Sequence, residues 1–157
     1  MKRFEIIGTT ADAGFVAYGE SLEALFTHAA EGMFAIIFGQ EPQLPCPDKT
    51  DTFALSAVDI ESLLVDFLSE LLWRFDTDLL VPSAIKLSIR VPERLTREPA
   101  PGGGSERGRP TLEARVGFAG CKRLAQKPVT DVKAVTMHNL AIVRESGVFS
   151  VKVILDI

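Results

Sequence analysis

The chain has 157 residues, a formal net charge of −4 and two cysteines, with 46% hydrophobic and 24% charged side chains. That balance belongs to a globular chain long enough to bury a substantial core as a single domain over 1–157, and no run reaches the roughly 20 apolar residues that cross a bilayer. Cys46 and Cys121, with no CxxC pair, exclude a cysteine-built zinc site and fit a reduced, cytoplasmic setting, and Met1 to Ile7 lacks the apolar core and cleavage site of a signal peptide.

Residues 3–8 read as a strand. Thr9 to Gly14 is a turn, followed by a short strand from Phe15 to Tyr18 that Gly19 closes. Ser21 is placed to cap a helix in which Leu22, Leu25, Phe26, Ala29, Met33, Phe34 and Ile37 recur at helical spacing, with Gly39 ending it. Pro42, Pro45 and Pro47 hold an extended loop before a strand at Thr52 to Ala57. Asp59 opens the clearest helix: Ile60, Leu63, Leu64, Phe67, Leu68, Leu71, Leu72 and Phe75 form its apolar face, and Glu61, Asp66, Glu70 and Arg74 its wet one.

The period then switches from helical to two. Ile85, Leu87, Ile89 and Val91 alternate with polar residues, as do Leu112, Ala114, Val116 and Phe118, and further strands are expected near 129–143 and 148–157. The stretch Thr96 to Pro110 has three prolines, four glycines and no large aliphatic side chain, so it reads as a mobile, solubilising hairpin insertion; its arginines offer a second reading, contact with RNA or a partner. Two wide-faced helices among six or more strands predict an α+β two-layer sandwich, a mostly antiparallel or mixed sheet with both helices on one face.

Charge is distributed unevenly. Residues 1–85 hold 14 acidic and 4 basic side chains, whereas residues 86–133 hold 5 acidic and 11 basic. The pattern reads either as an unevenly sampled solvated surface or as a steering field for a charged partner.

The carboxyl end supplies the sharpest chemical signal. In Val148 to Ile157, alternation places Val151, Val153, Leu155 and Ile157 on one face, and fixes the α-carboxylate of Ile157 close to the side chain of Asp156. Two anionic oxygen groups held together favour a cation between them. Asp12, in the first turn, reads on its own as an Asx-turn residue. Lys133 and His138 lie in a largely apolar strand-like run, where alternation points them to opposite faces, against a catalytic pair; His138 and His28 read as structural. Walker, GxSxG, HExxH and CxxC signatures are missing, and Gly102 to Gly104 precede no helix that would bind phosphate.

Taken together, several segments resemble the archease family. They are Phe4-Glu5, Thr9-Thr10-Ala11-Asp12-Ala13-Gly14, Tyr18-Gly19, Ser21-Leu22-Glu23, Leu63 to Leu68, Lys133 to His138 and Val153 to Ile157. The resemblance implies an accessory protein rather than an enzyme. Its partner would be an RtcB-type RNA ligase of tRNA splicing and RNA repair, whose guanylylation and multiple turnover it promotes. RNA contact would be indirect, with no DNA or membrane partner. It further implies a divalent cation, calcium foremost with magnesium or manganese as alternatives, held by Asp12, Asp156 and the α-carboxylate of Ile157. Lys133 and Asp12 would be needed for activation. Where the family commonly has histidine this chain has Thr9, a weaker donor, and the remaining all-oxygen set suits a hard cation better than zinc. The competing readings are a stand-alone metal-dependent hydrolase and a general chaperone-like binding protein.

Overall fold

Two side-chain caps start the helices. The Ser21 hydroxyl accepts the Ala24 N–H at 3.1 Å and opens α1 (Leu22–Phe38); the Asp59 carboxylate accepts the Ser62 N–H at 2.7 Å and opens α2 (Ile60–Asp78). Gly39, at φ 72°, ends α1 by donating to the Ile36 carbonyl at 3.2 Å. At the end of α2 the left-handed position falls on Leu79, at φ 54°, which costs a residue with a Cβ about 1 kcal/mol.

The computed structural model describes residues 2–8, 12–92 and 108–157. Eight strands accompany the helices among these: β1 (Phe4–Gly8), β2 (Ala13–Gly19), β3 (Lys49–Ser56), β4 (Leu80–Arg90), β5 (Thr111–Gly120), β6 (Ala134–Val135), β7 (Ile142–Glu145) and β8 (Val148–Asp156). Thr9, and with it most of the expected insertion at 96–110, lies outside the described residues. β4 and β5 pair up to Arg90↔Thr111, so the insertion joins two adjacent strand ends.

The architecture is the expected α+β sandwich, and its strands fall into two sheets. One runs β1-β2-β8-β6, with β7 also paired to β8; the other runs β3-β5-β4; every pairing described is antiparallel. α1 packs on β1, β2 and β8 of the first sheet and on β4 of the second, while α2 packs on β3, β4 and β6, so one helical layer spans both sheets. Alternation decides what lies beneath it. Phe15, Ala17, Val151, Val153 and Leu155 from the first sheet, and Leu112, Val116 and Phe118 from the second, are wholly or almost wholly buried. Aromatic contacts join the layers: Phe26 and Phe53 both meet Phe67, with centroids 6.0 and 6.4 Å away, and Phe34 meets Phe75 edge-on at 5.7 Å.

The strand expected near 129–143 is mostly irregular, and local hydrogen bonding explains why. The N–H groups of Val129 and Thr130 donate to the Ile37 carbonyl, at 2.8 and 3.1 Å, which ties this segment to the end of α1 instead of a strand. Further on, the Thr136 hydroxyl and N–H both reach the Ile154 carbonyl, at 2.9 and 3.1 Å, and Asn139 turns the chain at φ 53°. β6 is left with two residues. Alternation therefore cannot be carried from Lys133 to His138, and the opposed-faces expectation for that pair has no strand to rest on.

Arg74 departs from its expected place on a wet helix face. Only 14% of its side chain is exposed; it pairs with Asp51 and, at 3.1 Å, with Glu70, and its guanidinium lies 4.9 Å from the Phe53 ring centroid and 5.4 Å from that of Phe118. The hydrogen bond from Arg74 holds the Asp51 carboxyl below its ordinary range. A depressed carboxyl stabilises the fold above its unfolded pKa, and the contribution disappears as pH falls through the lower folded value. Asp51→Asn should therefore flatten part of the acid limb of a stability–pH curve while leaving stability above pH ~6 changed only by its constant loss of the ion pair. An acid limb as steep as that of the unmodified chain would contradict this role.

Candidate functional site

The register of the first sheet gathers the residues singled out at the two ends of the sequence. β2 and β8 pair as far as Ala13↔Leu155, so Asp12 and Asp156 are the next residues on either side of the same seam. On the other side of β8, Ala134 pairs with Asp156, and the Lys133 N–H donates to the Asp156 carbonyl at 2.7 Å. Continued by one residue, that ladder sets Lys133 across from Ile157. Asp12, Lys133, Asp156 and Ile157 are all exposed, and they lie at one end of the sheet. The sequence separates Asp12 from Asp156 by almost the whole chain; two adjacent antiparallel seams remove the separation.

The terminal strand differs from expectation at its last residue. β8 ends at Asp156, and Ile157 is 42% exposed rather than continuing the buried row of Val151, Val153 and Leu155.

Among the described residues, no group of three or more His, Cys, Asp or Glu side chains stands together as a metal-holding cluster. The set read from the sequence has two such side chains, Asp12 and Asp156, so its third anionic donor is the Ile157 carboxylate. The Asp156 carbonyl accepts the Lys133 N–H, which fixes the backbone on that side of the set. What remains is a small, all-oxygen, water-accessible set. That chemistry fits a hard divalent cation of the calcium or magnesium class, bound with several waters and modest affinity, and does not fit zinc.

Lys133 has a second setting. With Ala134 and Val135 it lines a hollow of about 230 Å³, opposite Ser69, Leu72, Trp73 and Asp76 of α2. Trp73 is 58% exposed. Burial and the nearby Asp131 raise the Asp76 carboxyl above its ordinary range. Sequence reasoning passed over Trp73. Its position between Leu72 and Arg74, off the apolar stripe of α2, was the available signal.

The histidines take no part in this arrangement. The His28 ring Nδ1 is 2.6 Å from the Tyr18 carbonyl, which ties α1 to β2, and exposed His138 neighbours Thr136 and Asn139. Among the described residues, no helix is long and apolar enough to cross a membrane.

The model of the Archease protein family (MTH1598/TM1083) matches residues 4–157. The chain belongs to the archease family. It is 34% identical to the archease of Methanothermobacter thermautotrophicus over 160 residues, covering 100% of both chains, and 32% identical to that of Methanosarcina mazei, covering 99% of this chain and 97% of the relative. The solution structure of Methanobacterium thermoautotrophicum protein 1598 superposes with a TM-score of 0.75, at 32% identity and 100% coverage of both chains. A crystal structure described as an archease and possible chaperone, from Thermotoga maritima, superposes with a TM-score of 0.57 over 96% of this chain and 94% of its own. At 20% identity that second archease speaks for the shared fold alone.

Proposed function

We propose that this archease is an accessory protein of an RtcB-type RNA ligase in tRNA splicing or RNA repair, and that it acts through the exposed end of its first sheet. The observation that carries the reading is the convergence of Asp12, Asp156, Ile157 and Lys133 on two adjacent seams of β8. Family membership supports the same direction.

Asp12, Asp156 and the Ile157 carboxylate are the residues that would hold a divalent cation, calcium foremost. When bound, such an ion supplies positive charge for transferring phosphoryl oxygens. The rest is the chain's own work. The ladder fixes the backbone of Lys133 beside Asp156, so its ammonium is presented at the same end of the sheet as the carboxylates. From there it offers charge to a nucleotide phosphate or to an acidic group on the ligase. Among the described residues no nucleophile paired with a general base accompanies this set, so the proposed role is to complete or orient the ligase's site rather than to turn over a substrate. The protein would act non-catalytically and in the cytoplasm.

The test adds this protein to a purified RtcB-type ligase at limiting calcium or magnesium and follows covalent guanylylation of the ligase. A faster, more complete guanylylation is expected, reversed by chelation. An unchanged rate rejects the reading. The general chaperone-like reading has its own outcome: suppressed aggregation of unrelated clients that survives Asp156→Ala.

A further inference from the structure

The outer face of the three-stranded sheet plays no part in the reading above. Alternation on β4 and β5 turns Leu87, Ile89, Leu112, Ala114 and Val116 inward and leaves Lys86, Ser88, Arg90, Glu113 and Arg115 exposed. β3 adds exposed Thr52 and Ala54 to the same face. The register sets Lys86 directly opposite Arg115, and Arg115 opposite Thr52; the next row is Ser88, Glu113 and Ala54, and the row beyond pairs Arg90 with Thr111.

Like charges directly opposed on neighbouring strands destabilise a sheet. Among the described residues, Lys86, Arg90 and Arg115 enter no ion pair, Glu113 included. Lys86 and Arg115 line a shallow trough of about 550 Å³ with Thr52, Ala54, Ser88 and Glu113, and Arg90 lies beyond its end on β4. Lys86 and Arg90, four residues apart on one strand, are about 13 Å apart along it. An extended polyanion running from the trough along β4 would meet all three.

We propose that this face binds the phosphodiester backbone of a single nucleic-acid strand, without preference for base. The large exposed apolar residues described lie elsewhere, Trp73, Val58, Val129 and Ile6 among them. A protein partner would need such an anchor to bury, whereas a phosphate backbone needs only cations and small hydroxyl donors, which Lys86, Arg90, Arg115, Thr52, Ser88 and Thr111 provide. Phe53, which also lines the trough, is half-buried with its ring engaged by Phe67 and Arg74, so it offers bases little stacking surface, which weakens the usual source of affinity and of base discrimination. Glu113, central among the cations, offsets part of their field and keeps the binding weak and easily reversed.

The proposal stands apart from the ligase reading, because it uses a different sheet and none of Asp12, Lys133 or Asp156. Its test is fluorescence anisotropy of a labelled oligouridylate titrated with the full chain between about 50 and about 200 mM salt. Three phosphate contacts predict a log–log salt slope of about −2, and the triple variant K86S/R90S/R115S should bind at least about tenfold more weakly at the lower salt. The variant's thermal melt must match that of the unmodified chain, and Lys127→Ala, at an exposed lysine outside this face, should bind oligouridylate as the unmodified chain does. Equal affinity in the triple variant, absence of binding at the lower salt, or a salt-independent affinity would each overturn the proposal. So would tighter binding of polyglutamate than of oligouridylate, which would assign the face to an acidic protein.

Discussion

Asp12→Ala is expected to abolish stimulation of ligase guanylylation while leaving the fold intact. The side chain is exposed and lies outside the buried core, so its removal, loss of its own local interaction included, should cost no more than about 1.5 kcal/mol. Its contribution to the end of the sheet is out of proportion to that small number. Among the described residues it is one of two side-chain carboxylates in the proposed set, and a hard cation's affinity depends on how many charged oxygens face it. Asp12→Asn, which keeps an oxygen and loses the charge, should retain a small part of the effect. Single-turnover guanylylation at limiting metal separates these variants, with a thermal melt as the control on folding. Full stimulation by a folded Asp12→Ala protein would remove Asp12 from the mechanism.

The largest structural effect is expected at Gly19. A Cβ on this residue would collide with the Leu25 nitrogen and lie 2.8 Å from its Cα, against the backbone of the first turns of α1. A rigid helix backbone cannot yield as a side-chain tip would, so α1 must move away from β2. Leu25 and Phe26, both fully buried, would lose their packing with it. Gly19→Ala should cost about 3 kcal/mol or more, seen as a fall in Tm of about 10 °C. Gly8→Ala is the matched control, because nothing lies within 4 Å of its added Cβ. Equal melting of the two variants would mean that β2 and α1 do not approach this closely.

The comparison between sequence and structure turns on which information is local. Both helices and their caps at Ser21, Gly39 and Asp59 were legible because apolar spacing and capping chemistry act within a few residues. The alternating strands β4, β5 and β8 were legible for the same reason. The division into two sheets was not, since pairing partners are chosen across the chain and leave no local period. The strand expected near 129–143 failed where backbone donors at Val129 and Thr130 went to Ile37, an exchange that no window of sequence contains. Arg74 looked like a solvated charge because its partners, Asp51, Phe53 and Phe118, come from β3 and β5.

The candidate site divides the same way. Asp12, Lys133 and Asp156 drew attention as residue types in context and through family resemblance. What sequence could not supply was the pair of registers that places them together. Trp73, beside Lys133, was readable in principle from its position off the apolar stripe. The opposed cations Lys86 and Arg115 were not readable, because only the pairing of β4 with β5 brings them face to face.

The central claim is that the free carboxylate of Ile157 works together with Asp12 and Asp156 at the exposed end of β8. Its most direct test is a chain lengthened by a few residues beyond Ile157, compared with the unmodified chain in calcium titrations and in stimulation of guanylylation. The extension replaces the terminal carboxylate with a neutral peptide group and leaves every core residue in place. A folded protein with weakened calcium binding and lost stimulation is the expected result. Full stimulation and unchanged calcium affinity in the lengthened chain would contradict the account.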